Sequence, residues 1–546
     1  MRITRRGLLA GTAAGTVWTA IGAVPAGAAD LPPGFPSDVE LERRRYRNWA
    51  GEIVVDAVPT CVPNSAAQVV EVANWAVRNG YRVRARGRMH GWSPLTVSPG
   101  DDPDRLLLVD TTRYLTSVRV GVDGVTAQAG ATLDAVLEAL RDNGLGVASA
   151  PAPGDITVGG VLAIGAHGTA VPAVGETPVP GQRYGSVSNL VRSLTAVVWD
   201  GDRYVTRTYT RDDADTPALL TNLGRVFVTE AELSAGTDRM LRCLSRVDIP
   251  ADELFGTTGR TMARYLAEAG RVEAIWYPYT EYPWLKVWSV APHRPLTARH
   301  TTRPYNYPFS DRVPEPVAEL FGRLIGGEWY LAPAFGAALY EASAVGLVAT
   351  ASADLWGRSA DLIRYVKPST LRVSANGYAA LVPRADAQRV IGDFTTEYRR
   401  LLRECAAAGR YPMNGPVEIR VTATDSAMGG AAPPLLSGPS VDPAHPERDT
   451  VVWLDALTVP GTPDAFAFYR DLESFVVNRI GGYATVRPEW SKGWAYTATA
   501  GWADGTFLST TIPSAFGAGW HTALGVLGRL DPHRVFANAF LDALAP

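Results

Sequence analysis

The chain has 546 residues, 46% hydrophobic and 20% charged, with a formal net charge of -3; this is the make-up of a globular protein long enough for two or more domains. That charge excludes a global electrostatic pull toward nucleic acid. Three widely spaced cysteines (Cys61, Cys243, Cys405) exclude a disulfide framework or a zinc motif, and seven histidines without HExxH spacing speak against a metal enzyme.

Arg2, Arg5 and Arg6 precede an apolar run from Leu8 to Val24, and Ala26-Gly27-Ala28 supplies small residues at a cleavage position. Thr4-Arg5-Arg6-Gly7-Leu8-Leu9 is similar to a twin-arginine export signal, which implies a secreted protein. A general secretory signal shares the same three-part layout and remains the alternative. Residues 1–28 are therefore set apart from the fold. No later stretch reads as an uninterrupted apolar span of membrane length. Residues 331–350 come nearest, and Pro333, Gly336, Glu341 and Gly346 interrupt them.

Pro32, Pro33 and Pro36 and a charged run at 40–47 form an arm. Ser65 and Gln68 make a capping box. Val69, Val72, Ala73, Ala76 and Val77 then recur at helical spacing, and Asn79-Gly80 supplies a left-handed stop. Tyr81, Val83 and Ala85 alternate with arginines, a half-buried strand pattern. The strand delivers residues 84–95, Arg-Ala-Arg-Gly-Arg-Met-His-Gly-Trp-Ser-Pro-Leu. Gly87 and Gly91 leave this loop free of Cβ obstruction, so its N–H groups can form an anion nest. Arg86 and Arg88 either add charge to that nest or are solvated.

Strands are expected at 106–110 and 124–130, and a helix between 131 and 146 with Leu133, Val136, Leu137 and Leu140 on one side. A second glycine-rich loop, 153–169, carries Gly154, Gly159, Gly160, Gly165 and Gly168 around His167. Paired strands at 189–200 and 204–209, and residues 223–229, close this region. Beyond about 245, aromatic strand segments (271–282, 286–290, 450–457, 484–487) alternate with helical patterns such as 385–408. Residues 429–448, rich in Gly, Pro and Ser, read as a loop.

Three charged groups stand out in the second region. Glu418 and Arg420 are two apart on a strand, so both face one side; they are either an oriented base with its cation or a structural ion pair. Glu273 lies in an aromatic segment where desolvation would raise its pKa. Glu489 and Lys492, in Pro488-Glu-Trp-Ser-Lys492, are either a buried carboxylate–lysine pair or a solvated turn.

The two glycine loops, in this order and with His167-Gly168-Thr169 in the second, resemble those of the vanillyl-alcohol-oxidase family of flavoproteins. Met89 to Pro94, Pro416 to Arg420 and Pro488 to Lys492 are similar to the cholesterol oxidases of that family that carry covalent FAD. The resemblance implies an α+β chain: a PCMH-type FAD-binding domain at 29–245, a substrate (cap) domain at 246–500 with a large antiparallel sheet flanked by helices, and a return to the FAD domain at 501–546. It implies that His90 is joined to the 8α-methyl of the flavin; on residue type alone His90 would be a histidine packed under a loop. It implies FAD contacts from Arg86, Gly87, Arg88, Met89, Gly91, Trp92 and Ser93 in the first loop. In the second loop it implies Pro153, Gly154, Asp155, Val158, Gly159, Gly160, Gly165, His167 and Gly168, with Val228 and the tail residue Asn538 beyond. It further implies oxidation of a 3β-hydroxysteroid by O2, release of H2O2 and isomerisation to a 4-en-3-one. Glu418, Arg420, Glu273, Glu489 and Lys492 are the catalytic candidates, and which carboxylate takes the first proton stays open. Related flavoproteins often have a histidine where Glu489 stands, so this chain departs there. The expected partners are the sterol, O2 and a transient membrane surface. A sugar, alditol or lactone oxidase of the same fold is the alternative.

Overall fold

The computed structural model describes residues 33–307, 314–367 and 370–545; residues 1–28, expected from sequence to be an export signal, lie outside them. Among the described residues, the first part of the chain builds a four-stranded sheet in the order Glu40–Arg47, Val54–Val62, Leu106–Asp110, Arg82–Arg86. A five-stranded antiparallel sheet stands beside it: Val118–Val120, Gly124–Gln128, Phe227–Ser234, Val191–Trp199, Tyr204–Thr210. Helix Ala66–Asn79 forms where the apolar spacing puts it. Ser65 accepts from the Gln68 N–H, while Gln68 reaches back to the N–H of Asn64, one residue before the cap, and Gly80 closes the helix at φ 68°.

The second part builds a nine-stranded sheet. Its order is Arg299–His300, Asp354–Arg358, Met240–Arg246, Trp284–Val290, Arg271–Trp276, Val417–Ala423, Thr450–Thr458, Ser374–Val382, Thr485–Pro488. All of its pairings are antiparallel except that of Arg299–His300 with Asp354–Arg358. Helix Ala387–Ala407 covers strand Thr450–Thr458 and packs on helix Ala465–Asn478. The register sets the site. Lys286, Glu273 and Arg420 are successive cross-strand partners, and Glu418, Asp455 and Gly377 form the adjacent row. Because side chains alternate with period two, both rows point to one face of the sheet.

Two segments differ from the sequence reading. Residues 153–169 are not all loop: Val158–Ala163 is a short helix with Val158, Val161 and Leu162 buried, an apolar i, i+3, i+4 set that the surrounding glycines obscure. Residues 332–349 form one continuous helix. Pro333 lies in its first turn, where an N–H needs no intrahelical partner, so it does not interrupt the helix. With the turn before it, the stretch Trp329–Ala349 is 21 residues long and apolar enough to cross a membrane by length and composition, and 28% of its apolar window is buried.

The chain end ties the cofactor loops down. The Val83 N–H donates to the carbonyl of Val535, and Asp531 accepts from the N–H groups of Val535 and Phe536 and from the Tyr204 hydroxyl. Arg84 is buried and donates to the carbonyls of Leu95, Leu223, Gly224 and Phe536, so one guanidinium clamps three segments; burial pushes its pKa down to about 10. Asn538 is fully buried. Its amide donates to the carbonyls of Pro94 (2.8 Å) and Leu95 (3.4 Å), and its oxygen caps Leu541 at 2.8 Å. Asn538→Ala would strand these groups without partners. We expect a loss of about 1–3 kcal/mol in denaturant unfolding, with a lower flavin content in the purified protein; unchanged stability would contradict this clamp.

Candidate active site

A cavity of about 640 Å³ lies between the glycine loops and the charged face of the large sheet. That volume is typical of a pocket for an organic ligand. On the first-domain side the two loops approach closely. A side chain at Gly87 would run into Thr157, and one at Gly168 into the backbone of Ala150. Met89 holds φ at 55°, a strained value for a non-glycine residue, immediately before His90.

His90 is stacked on Trp49, ring centroids 3.8 Å apart, with Trp92 edge-on at 6.0 Å. Burial, then the charges of Lys492 and Arg372, push its pKa down to about 3, so the imidazole is neutral. Its Nδ1 is buried and has no hydrogen-bond partner. A neutral ring nitrogen with nothing bound to it, beside side-chain-poor loops, fits a histidine that accepts a bond from a flavin. The orphan atom and the glycine-lined cradle together suit FAD.

Arg88, Met89, Gly91, Trp92 and Ser93 line the cavity with Gly87. Trp92 donates to the Val373 carbonyl (2.5 Å) and Ser93 to that of Trp490 (2.6 Å), locking the loop to the second domain. Pro153, Gly159, Gly160, Gly165, His167, Gly168 and Val228 also line it. Five expected cofactor residues stand behind the lining. Arg86 is paired with Asp110 at 3.0 Å and so is neither solvated nor turned to the nest. Gly154 packs against Asp134, and Val158 is core. Asn538 is the clamp described above. Asp155 keeps one buried oxygen without a partner, and burial raises its carboxyl.

On the sheet side, Arg420 donates from each of its three nitrogens to a different carboxylate: Glu273 (2.8 Å), Asp455 (3.1 Å) and Glu418 (2.5 Å). The spacing of Glu418 and Arg420 therefore brings them together, and both line the cavity. Glu273 is fully buried behind Arg420, held also by the Tyr365 hydroxyl and by Lys286 at 3.5 Å. Its expected pKa rise is not what the structure shows. Burial does push the carboxyl up, but Arg420 and Lys286 outweigh it and the net direction is down. Lys286 sits among aromatic rings, 2.9 Å from the Tyr365 ring centre and 4.9 Å from that of Trp288; burial pushes its pKa down to about 8.

Glu489, partly buried, and Lys492, buried, both line the cavity with Nζ 3.8 Å from Oε1, so they are not a solvated turn. The Glu489 carboxyl is pushed up by burial, but its neighbours, Lys492 first among them, outweigh this and hold it well below the usual carboxylate range. His167 lies flat on Trp453 at 3.4 Å and its Nδ1 is 3.0 Å from the Gly168 carbonyl. A carbonyl can only accept, so Nδ1 carries the proton and Nε2 faces Glu489 Oε2 at 3.7 Å.

Sequence reasoning missed Trp49, Arg84, Lys286, Arg372 and Asp455. Lys286 and Asp455 each stand alone in an otherwise apolar strand, a pattern that could have marked them. The chemistry is that of an FAD-binding oxidoreductase with a charged, proton-handling end to its substrate cavity.

Comparison with known proteins places this class in a family. Residues 59–207 match the model described as FAD binding domain, and residues 240–546 the model described as cholesterol oxidase, substrate-binding. Among solved structures, a solvent-stable cholesterol oxidase is similar at 51% identity and TM-score 0.92, over 94% of this chain and 100% of that one. A crystal structure of cholesterol oxidase from B. sterolicum is similar at 43% identity and TM-score 0.92, over 96% and 100%. A His-to-Ala mutant of the cholesterol oxidase from Brevibacterium sterolicum gives the same values. Among curated proteins there is no match. The chain belongs to the cholesterol oxidase family of vanillyl-alcohol-oxidase-type flavoproteins.

The ion pairs carry a pH signature. Glu273 is depressed in the fold, so its stabilisation is full above the unfolded carboxylate pKa of about 4 and is lost as pH falls. Arg420→Met takes a cation from three carboxyls, leaving Glu273 with Lys286 and Asp455 with Lys492, and the group then folds more readily when protonated. We expect a loss of about 3–5 kcal/mol at neutral pH that shrinks as the pH drops toward about 4. Denaturant unfolding across that range checks this; a loss independent of pH would contradict it.

Proposed function

We propose that this chain oxidises cholesterol and related 3β-hydroxysteroids at the expense of O2, releasing H2O2, and moves the 5,6 double bond to give the 4-en-3-one. One observation carries the choice of substrate: the lining contributed by the second domain is largely apolar, its charged members being Arg271, Glu418, Arg420, Glu489 and Lys492. Its apolar members include Tyr277, Val317, Phe321, Phe335, Leu339 and Val459, with few polar groups such as Ser343 and Asn414 among them. A sterol is hydrocarbon with a single hydroxyl and suits such walls. A sugar, alditol or lactone would leave several hydroxyls there without partners, which is costly.

Bound FAD supplies the two-electron acceptor for the carbinol hydrogen and is reoxidised by O2. The backbones of residues 87–93 and 153–168 would hold it, and His90 Nδ1 is free to carry the 8α bond. Of the carboxylates, Glu489 and Glu418 reach the cavity and Glu273 does not. Glu489, ionised beside Lys492, is our choice to accept the hydroxyl proton. Lys492 is suited to steady the oxygen as that proton leaves. Glu418, steered by Arg420, is placed to carry a proton along one ring face in the isomerisation.

We also read residues 1–28 as a twin-arginine export signal, so the enzyme meets its substrate outside the cell. Helix Ala332–Ala349 contributes Phe335 and Leu339 to the cavity and presents Val345 and Val348 to solvent, 59% and 77% exposed. We propose that this apolar face rests transiently on a lipid surface while a sterol enters.

Two measurements test the proposal. Under air, cholesterol gives peroxide and a 4-en-3-one, whereas xylitol and lactones give none; turnover of the latter alone would overturn the sterol reading. In acid precipitation the yellow colour stays with the wild-type pellet and moves to the supernatant for His90→Ala. Colour released from both would defeat the covalent link and leave the sterol chemistry standing.

A further inference from the structure

Strand Thr450–Thr458 is buried along its whole length and apolar on either side of one carboxylate, Asp455, which is 0% exposed. The surroundings are shaped to that group. Across the strand stands Gly377, where an added Cβ would lie 2.6 Å from Asp455 Oδ1 and 2.8 Å from Lys492 Cγ. Oδ2 accepts from Arg420 Nη1 at 3.1 Å and from Lys492 Nζ at 3.2 Å. Asp455 thus joins the Glu273–Arg420–Glu418 group to the Glu489–Lys492 pair.

The remaining oxygens lack a donor. Asp455 Oδ1 and Glu489 Oε2 are both buried without a hydrogen-bond partner, and the two carboxyls meet at one ammonium: Lys492 Nζ lies 3.2 Å from Asp455 Oδ2 and 3.8 Å from Glu489 Oε1. Two facing carboxylates repel unless a proton lies between them. The charge count agrees. Three cations (Arg420, Lys286, Lys492) face four carboxyls (Glu273, Glu418, Asp455, Glu489), so one proton makes the cluster neutral. That proton belongs on Asp455. Glu489 has Lys492 and the Ser491 hydroxyl at 3.3 Å beside it, and is stabilised as the anion.

We propose that Asp455 is a positioning residue that carries a proton in the working enzyme and donates it as a hydrogen bond to Glu489, keeping the cavity-facing Glu489 ionised to receive the substrate's hydroxyl proton. Burial, then the Glu489 charge, push Asp455 up to about 8, consistent with this role. The proton on Asp455 is not consumed: the hydroxyl proton goes to Glu489 and leaves from there. The inference rests on the proposed role of Glu489.

The test compares wild type with Asp455→Asn, whose amide donates the same hydrogen bond at every pH. Infrared spectra of the flavin-loaded proteins are recorded from neutral to alkaline pH. Other buried acids such as Glu473, pushed up to about 7, give bands common to both proteins that cancel in the difference. Lys286 and His167 carry no carboxyl band. Wild type should show one additional carboxylic-acid C=O band, lost as pH passes about 8, that D455N lacks. At neutral pH D455N should keep kcat/KM for cholesterol within about tenfold of wild type. A band that persists in D455N, or no extra band in wild type, overturns the proposal. So does a folded, flavin-loaded D455N that is inactive at every pH, because Asp455 would then be acting as an anion. Absence of sterol turnover in wild type would instead sink the reading of the enzyme, and the infrared result would still report where the proton sits.

Discussion

One guanidinium shared among three carboxyl groups is the constraint on which the second domain depends. Arg420 meets Glu273, Glu418 and Asp455, which come from its own strand and the strands on either side. Arginine alone among side chains offers five donors in a rigid fork, so it can serve three acceptors at once. Burying these charges is expensive, and the cost is offset only while every partner is present. A slip of one residue in any of the three strands would send that strand's charged groups into the helical layer. The same ion pairs that equip the cavity therefore also specify the register of the sheet that forms its wall.

The other wall is built by a different means. Two loops with few side chains close on each other at Gly87 and Thr157, and the first is pinned to the returning tail at both ends: Arg84 donates to the Phe536 carbonyl, and Asn538 donates to the carbonyls of Pro94 and Leu95. Beside them His90 is stacked on Trp49 with a bare Nδ1. A strained Met89 beside it fits a segment whose conformation serves the ligand rather than local comfort. Between the walls the second domain's lining is largely apolar with a few charged groups, so one hydroxyl finds partners and a hydrocarbon body leaves few polar groups unmet.

Much of this was readable along the chain where the signal is local. The helix at Ala66–Asn79, its serine cap and its glycine stop follow from spacing and turn chemistry. Glu418 and Arg420 share a face because two residues is the strand period. What resisted reading depends on distant pairing. Asp455 meets Arg420 and Lys492 from 35 and 37 residues away, through strand order that no local pattern encodes. The sign of the Glu273 shift was misjudged for the same reason: desolvation is visible in an aromatic segment, but the cations that reverse it come from other strands. Residues 332–349 run as one helix through Gly336, Glu341 and Gly346 because Pro333 sits in the first turn, where no intrahelical N–H is lost.

The account's central claim is that a sterol hydroxyl and a bound flavin meet at the charged end of this cavity. Anaerobic addition of cholesterol to the purified yellow protein tests it most directly. The flavin absorbance should bleach fully with one equivalent of sterol and return on admitting air. A flavin band unmoved by cholesterol, in protein that a chemical reductant bleaches normally, would contradict it.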